Sequence, residues 1–271
     1  MQISFWSNMH GQAATSATTA AIAATIAQRT AYKTLVAHNH SGRSALEGYF
    51  FKRSGLAEQS TGLSNQGIDA LVRLMRNGRL KPDMVGDYTH SLLRNHRLDI
   101  LMGTSKKEEL SKEDENAFMS ILQCAREFYD LTVLDVNSGL SDANSQNILE
   151  SSDILVFCLN QNCFLIEDFM VFYKNFPFLK EKRSAFVITR YEKHAAMTLH
   201  NLARRYEFDR GALFEIPNNS RFSDALNSGR VFDFVVYSQG ARDREDKTFI
   251  TSLNRLCDYI VEGCTKRCQS F

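Results

Sequence analysis

Seven short apolar runs, each five or six residues long, recur along the chain: Ile3–Ser7, Thr34–His38, Leu98–Met102, Leu131–Val136, Ile154–Leu159, Ala185–Thr189 and Ala212–Ile216. Several are almost continuously apolar rather than alternating, as parallel strands covered on both faces must be. Helix-compatible segments lie between them, at Thr15–Gln28, Gly67–Arg76, Lys112–Phe128, Ile166–Phe176 and Tyr191–Tyr206. Strand–helix alternation of this kind implies right-handed crossovers. The expected fold is α/β, a doubly wound and mainly parallel sheet of about seven strands flanked by helices.

Residues 1–271 read as one domain. Ser41–Gly67, richer in Gly and Ser, predicts a long excursion after the second strand, and Ser111 with Asp114 reads as a capping-box-like helix start. Near the end, Phe249, Ile250, Leu253, Leu256, Cys257, Ile260 and Val261 recur at helical spacing and predict a helix over 245–262. A closing helix packed on the sheet is the simplest use of that stripe. Docking on a membrane or partner is the alternative.

Composition excludes several classes. Lys+Arg at 32 against Asp+Glu at 31 leaves a net charge of +1, so nothing suggests a strongly basic nucleic-acid binder. Lys180–Arg183 and Arg204-Arg205 are short runs suited to solvated helix faces. The 44% hydrophobic content rules out disorder as the whole answer. The six cysteines form no C-x-x-C pair, which argues for a reduced cytoplasmic chain without a zinc motif. No signal peptide is visible, and the stretch Ala13–Ala27 is too weakly apolar to span a bilayer.

In an open α/β sheet, ligands bind where strand-to-helix loops converge at the carboxyl ends of the strands. The first such loop, Ser7–Ser16, joins a strand to an Ala-rich helix. Strand, small-residue loop and helix start together cradle phosphate through backbone N–H groups and the helix dipole. Gly11, Thr15 and Ser16 suit that role; a lysine is absent. Asp135 ends the strand Leu131–Val136, where a carboxylate can hold Mg²⁺ beside a phosphate loop.

Four blocks carry a resemblance to a known family. They are Ile3–Ser7 with its loop and Thr/Ala helix, Arg97–Gly103, the Leu134-Asp135 strand followed by Ile148–Leu159, and Ile216-Pro217 followed by Ala225 and Gly229. In that order, from Ile3 to about Val261, the chain resembles the ParA/MinD group of deviant-Walker P-loop ATPases. Within the group, Trp6-Ser7 with His10-Gly11-Gln12 is similar to the TadZ/CpaE branch of tight-adherence pilus loci.

The resemblance implies ATP and Mg²⁺ as ligands. It assigns the phosphates to Met9, His10, Gly11, Gln12, Ala13, Ala14, Thr15 and Ser16. Thr15 (or Ser16) and Asp135 take the metal, and Pro217, Asn218 and Asn219 the base. The departures are as informative. The family loop reads Lys-Gly-Gly-x-Gly-Lys-Thr, and its two lysines fall here on Met9 and Ala14; a shift by one residue puts the second on Thr15. Each lysine stabilises transferring phosphate charge, and losing one such contact costs about 10²–10³ in rate. The second strand ends in His38-Asn39-His40 where the family has Asp-x-Asp. These histidines either donate to phosphate oxygens or have no ligand. At the family's adenine-recognition Asn stands Thr189-Arg190.

The implied function is a nucleotide-binding protein with weak or absent hydrolysis, acting with protein partners in positioning or assembly for a pilus, secretion or partition system. One alternative is a competent ATPase with an unconventional cation, Arg43, Arg53 or a partner's arginine. Another is an interaction module that has lost nucleotide. Because Met9 replaces the lysine that reaches a partner subunit's phosphates, any homodimer is expected to be independent of ATP and to use other surface, such as the C-terminal stripe.

Overall fold

The computed structural model describes residues 1–40, 44–51, 66–104, 112–139 and 143–268. Ser41, Arg43, Arg53 and Ser111 lie outside them, so the two loop arginines and the capping-box start are not placed.

Among the described residues eight strands form one sheet: β1 (Gln2–Trp6), β2 (Thr34–His38), β3 (His90–Leu93), β4 (Leu98–Ile100), β5 (Leu131–Asp135), β6 (Ile154–Leu159), β7 (Arg183–Tyr191) and β8 (Leu213–Pro217). Their order is β3-β4-β2-β5-β1-β6-β7-β8. Every pairing is parallel except β3 with β4. The expected parallel sheet is present, with one strand more than the sequence suggested. β3 is a short, partly exposed antiparallel edge strand, and so lacks the apolar run that marks a doubly covered strand.

The helices are α1 (Thr15–Arg29), α2 (Ala45–Phe50), α3 (Gly67–Arg76), α4 (Lys112–Phe128), α5 (Ala143–Ser151), α6 (Cys163–Asn175), α7 (Phe178–Glu181), α8 (Leu199–Tyr206), α9 (Ser220–Asn227), α10 (Val231–Ser238) and α11 (Arg244–Cys268). They cover both faces. One apolar layer joins the sheet to α1, α9, α10 and α11; the other joins it to α3, α4, α5, α6 and α8.

α1 is buried continuously from Ala17 to Ala27. Small side chains let it lie against the sheet while α10 and α11 close over it. The buried hydroxyls of Thr19 and Thr25 donate to carbonyls one turn back, at 2.9 and 2.7 Å, so they carry no unmet hydrogen bond.

Two expectations change at element ends. Tyr191–Tyr206 is helical only from Leu199, because β7 runs on to Tyr191 and the Thr198 side chain caps the late start. α6 begins at Cys163, earlier than Ile166, because Asn162 accepts from the Phe164 amide at 3.0 Å. The C-terminal stripe packs inward: Phe249, Ile250, Leu253, Leu256, Cys257 and Ile260 are all buried. Its use as a free docking or dimerisation surface is therefore corrected. α11 is the closing helix. No helix among the described residues is long and apolar enough to cross a membrane.

Candidate functional site

The sheet register levels the carboxyl ends of three strands. Asp135 stands opposite Phe5 of β1 on one side and His38 of β2 on the other. The loop Ser7–Ala14 leaves β1 at this level and turns into α1. Gly11 takes φ +72° and Ala14, the residue before the helix, takes φ 47°, ψ 36°. An alanine in left-handed backbone costs about 1–2 kcal/mol, and such outliers persist where surrounding structure enforces them.

Three anchors hold the loop. Asn8 Nδ2 donates to Asp168 Oδ2 at 2.8 Å and to the Leu165 carbonyl at 3.2 Å. Asn160 Nδ2 donates to the Gln12 carbonyl at 3.2 Å. Buried Thr189 sets its hydroxyl 2.9 Å from the carbonyls of both Ala13 and Leu159. No side chain caps α1, and its first turn has no acidic residue. Its leading N–H groups and the positive end of its dipole therefore face the loop mouth, the physical requirement for holding an anion.

Asp135 is fully buried. Its Oδ2 lies 3.1 Å from Nε2 of His40, and its Oδ1 has no partner among the described residues. A buried carboxylate oxygen left open beside an anion cradle fits one ligand of a hydrated Mg²⁺. Among the described residues no group of three or more His, Cys, Asp or Glu could hold a metal. A cation here would therefore take its other ligands from hydroxyl, phosphate and water. Thr15 opens α1 half-buried. The Cys158 thiol is fully buried, and burial, then the Asp135 charge, pushes its pKa well up. That thiol stays protonated and inert.

His38-Asn39-His40 acts as a clasp. The His40 amide donates to His38 Nδ1 at 3.2 Å, so the His38 ring proton sits on Nε2, 3.2 Å from Glu47 Oε1. The same Glu47 oxygen accepts the Gly103 amide at 2.8 Å. A Cβ on Gly103 would lie 2.5 Å from the His38 ring, so only glycine fits there. Asn39 accepts from the Asn137 amide at 2.7 Å and donates to Ser145 at 3.0 Å. His38 is buried on Glu47, and His40 faces the Asp135 carboxylate rather than open solvent.

The expected base-binding residues divide. Asn219 is buried; its Oδ1 accepts the Phe222 amide at 2.7 Å, capping α9, and its Nδ2 donates to Asp246 at 2.9 Å. Both ends of its amide are engaged in structure. Pro217 is half-buried and Asn218 exposed at the carboxyl end of β8. In the loop, His10, Gly11 and Gln12 are exposed, Ala13 is buried, and Met9, Ala14 and Ser16 lie between.

Tyr49, which sequence reasoning did not name, and Arg190, which it named only as a departure, also bear on the site. Tyr49 of α2 has its phenol pKa raised by burial, then by the charge of Asp135, while Arg190 pulls it down. Arg190 itself adopts φ 49° where the β7–β8 register slips between Thr189 and Tyr191. Thr189-Arg190 was visible as a departure at the family's Asn; the bulge that turns the arginine was not.

No protein-family profile matches the chain, and no curated protein matches it. Solved structures do. The chain is similar to a ParA family ATPase from Chlorobium tepidum TLS at 15% identity, with a TM-score of 0.69 over 93% of this chain and 98% of that one. It is similar to a putative plasmid partition protein from Borrelia burgdorferi B31 bound to AMPPNP at 14% identity, TM-score 0.68, over 96% and 98%. It is also similar to the septum site-determining protein MinD complexed with Mg-ADP from Pyrococcus horikoshii OT3 at 15% identity, TM-score 0.68, over 96% and 95%. At these identities the likeness establishes the fold alone: the chain has the fold of these ParA/MinD structures.

Proposed function

We propose that this chain is a ParA/MinD-type nucleotide-binding scaffold, a single functional unit over 1–271, that holds ATP with little or no hydrolysis. The observation that carries the proposal is the uncapped start of α1 beside the open, buried Oδ1 of Asp135. An anion cradle and a cation ligand lie together at the level where β1 and β5 end.

Backbone N–H groups of the loop from Met9 to Thr15 would hold the phosphates. The hydroxyl of Thr15 or Ser16 and the Asp135 carboxylate would hold Mg²⁺, with Pro217 and Asn218 bordering the base. When bound, the cation offsets phosphate charge. The AMPPNP and Mg-ADP of the Borrelia and Pyrococcus proteins support the choice of ligands.

Weak hydrolysis follows from what the chain lacks. The loop has no lysine to stabilise transferring charge. At the end of β2, His38 is held on Glu47 and offers no free carboxylate to orient water. Such a protein works by binding. The natural role is positioning or assembly through protein partners in the cytoplasm, and the sequence resemblance to the TadZ/CpaE branch favours a pilus or secretion system over plasmid partition.

Ligand that binds only the native state raises stability by mass action. Melting temperature should therefore rise with Mg²⁺-ATP concentration. A midpoint unmoved at millimolar ATP would overturn nucleotide binding and leave the interaction module.

A further inference from the structure

The geometry points to Arg190 as a cation that binds the phosphates of the nucleotide from β7, across the edge of the loop, without standing in the loop lysines' positions. This rests on the nucleotide site proposed above and names the residue that supplies its positive charge.

Three observations converge. First, placement: the residue before Arg190 is bonded to the loop itself, since the Thr189 hydroxyl lies 2.9 Å from the Ala13 carbonyl. Arg190 therefore emerges at the flank of the turn that precedes α1. Second, backbone: Arg190 is the extra residue where β7 and β8 slip register, and it sits at φ 49°. A bulge re-aims a side chain, and a non-glycine residue in left-handed backbone carries strain of the kind that clusters at functional sites. Third, charge: Arg190 is exposed and makes no ion pair among the described residues. It lies within electrostatic reach of Tyr49, which also senses Asp135. An unpaired guanidinium thus stands one residue beyond the Thr189 hydroxyl that is bonded to the loop ahead of α1. Its planar fork suits phosphate oxygens.

Calorimetric titration of adenosine, AMP, ADP and ATP, each with Mg²⁺, tests this on the full chain. The variants are Arg190→Gln, Arg190→Lys and Arg190→Gly. The glycine variant relaxes the backbone while removing the charge, so it stays folded if strain is the concern. In the wild type, affinity should increase from adenosine to ATP. Both uncharged variants should bind ATP about 10- to 100-fold more weakly, the range for a charge-assisted contact, with adenosine affinity unchanged. The lysine variant should fall between them and wild type. Wild-type ATP affinity in Arg190→Gly, or an equal loss for adenosine and ATP, would overturn the phosphate role while leaving the nucleotide site standing. A wild type that binds none of the four would overturn the site, and this assignment with it.

Discussion

Nε2 of His40 lies 3.1 Å from Oδ2 of Asp135, so a cation arriving at the end of β5 finds one oxygen taken and the other open. The imidazole comes from the segment just after β2 and the carboxylate from β5, and the two strands are paired directly at His38 and Asp135. The metal position and the loop that follows β2 are therefore mechanically one unit.

His40→Ala should separate the two roles of that contact. Without the imidazole the buried carboxylate has neither partner, which costs about 1–3 kcal/mol of stability, and both its oxygens become open to a cation. Ligand-free protein should melt lower than wild type, and added Mg²⁺-ATP should raise the variant by more. A variant that melts lower and gains less would show that His40 holds Asp135 in place for the cation.

Asp135→Asn keeps the shape and removes the negative charge. The part of ATP stabilisation that depends on Mg²⁺, measured as the difference between melts with Mg²⁺ and with EDTA, should fall sharply. An unchanged difference would make Asp135 a strand-end residue with no metal role.

Asn219→Ala removes the cap of α9 and one partner of the buried Asp246. Urea denaturation should show a loss of about 1–2 kcal/mol, the range for an N-cap. ATP affinity, corrected for the folded fraction, should hold. Unchanged stability with weakened ATP binding would return Asn219 to the base.

The sequence disclosed the sheet because its inner strands are covered on both faces. β6 reads as an unbroken apolar run and β5 as a run broken by Thr132 before it ends in Asp135, and every residue of each is buried. β3 escaped because an edge strand needs no such run. Loop and helix start were legible from small residues between Trp6 and Ser16, as was Asp135 from its place at a strand tip. The clasp was not. Gly103 is far from His38 in sequence and Glu47 lies on the separate helix α2, and only the folded chain brings them to one ring. Asn219 shows a related limit of sequence reading: an amide suits a base and a helix cap equally well, and only the folded chain shows this one bonded to the Phe222 amide and to Asp246 of α11.

Assembly should not respond to nucleotide. Met9 stands where a lysine would reach across to a partner's phosphates, and a thioether brings no charge to that contact. The buried face of α11 is also unavailable. Sedimentation coefficients with and without Mg²⁺-ATP should agree. A monomer that dimerises only on adding nucleotide would assign the cross-subunit contact to another loop residue, with exposed His10 the first to mutate.

The nucleotide recovered from the protein itself tests binding without turnover most directly. The full chain is incubated with Mg²⁺-ATP for hours, separated from free ligand, denatured, and its released nucleotide resolved by chromatography. Intact ATP in near-stoichiometric amount is the expected result. ADP released alongside free phosphate, at a turnover approaching the enzyme median of about 10 s⁻¹, would contradict it, as would protein that retains no nucleotide at all.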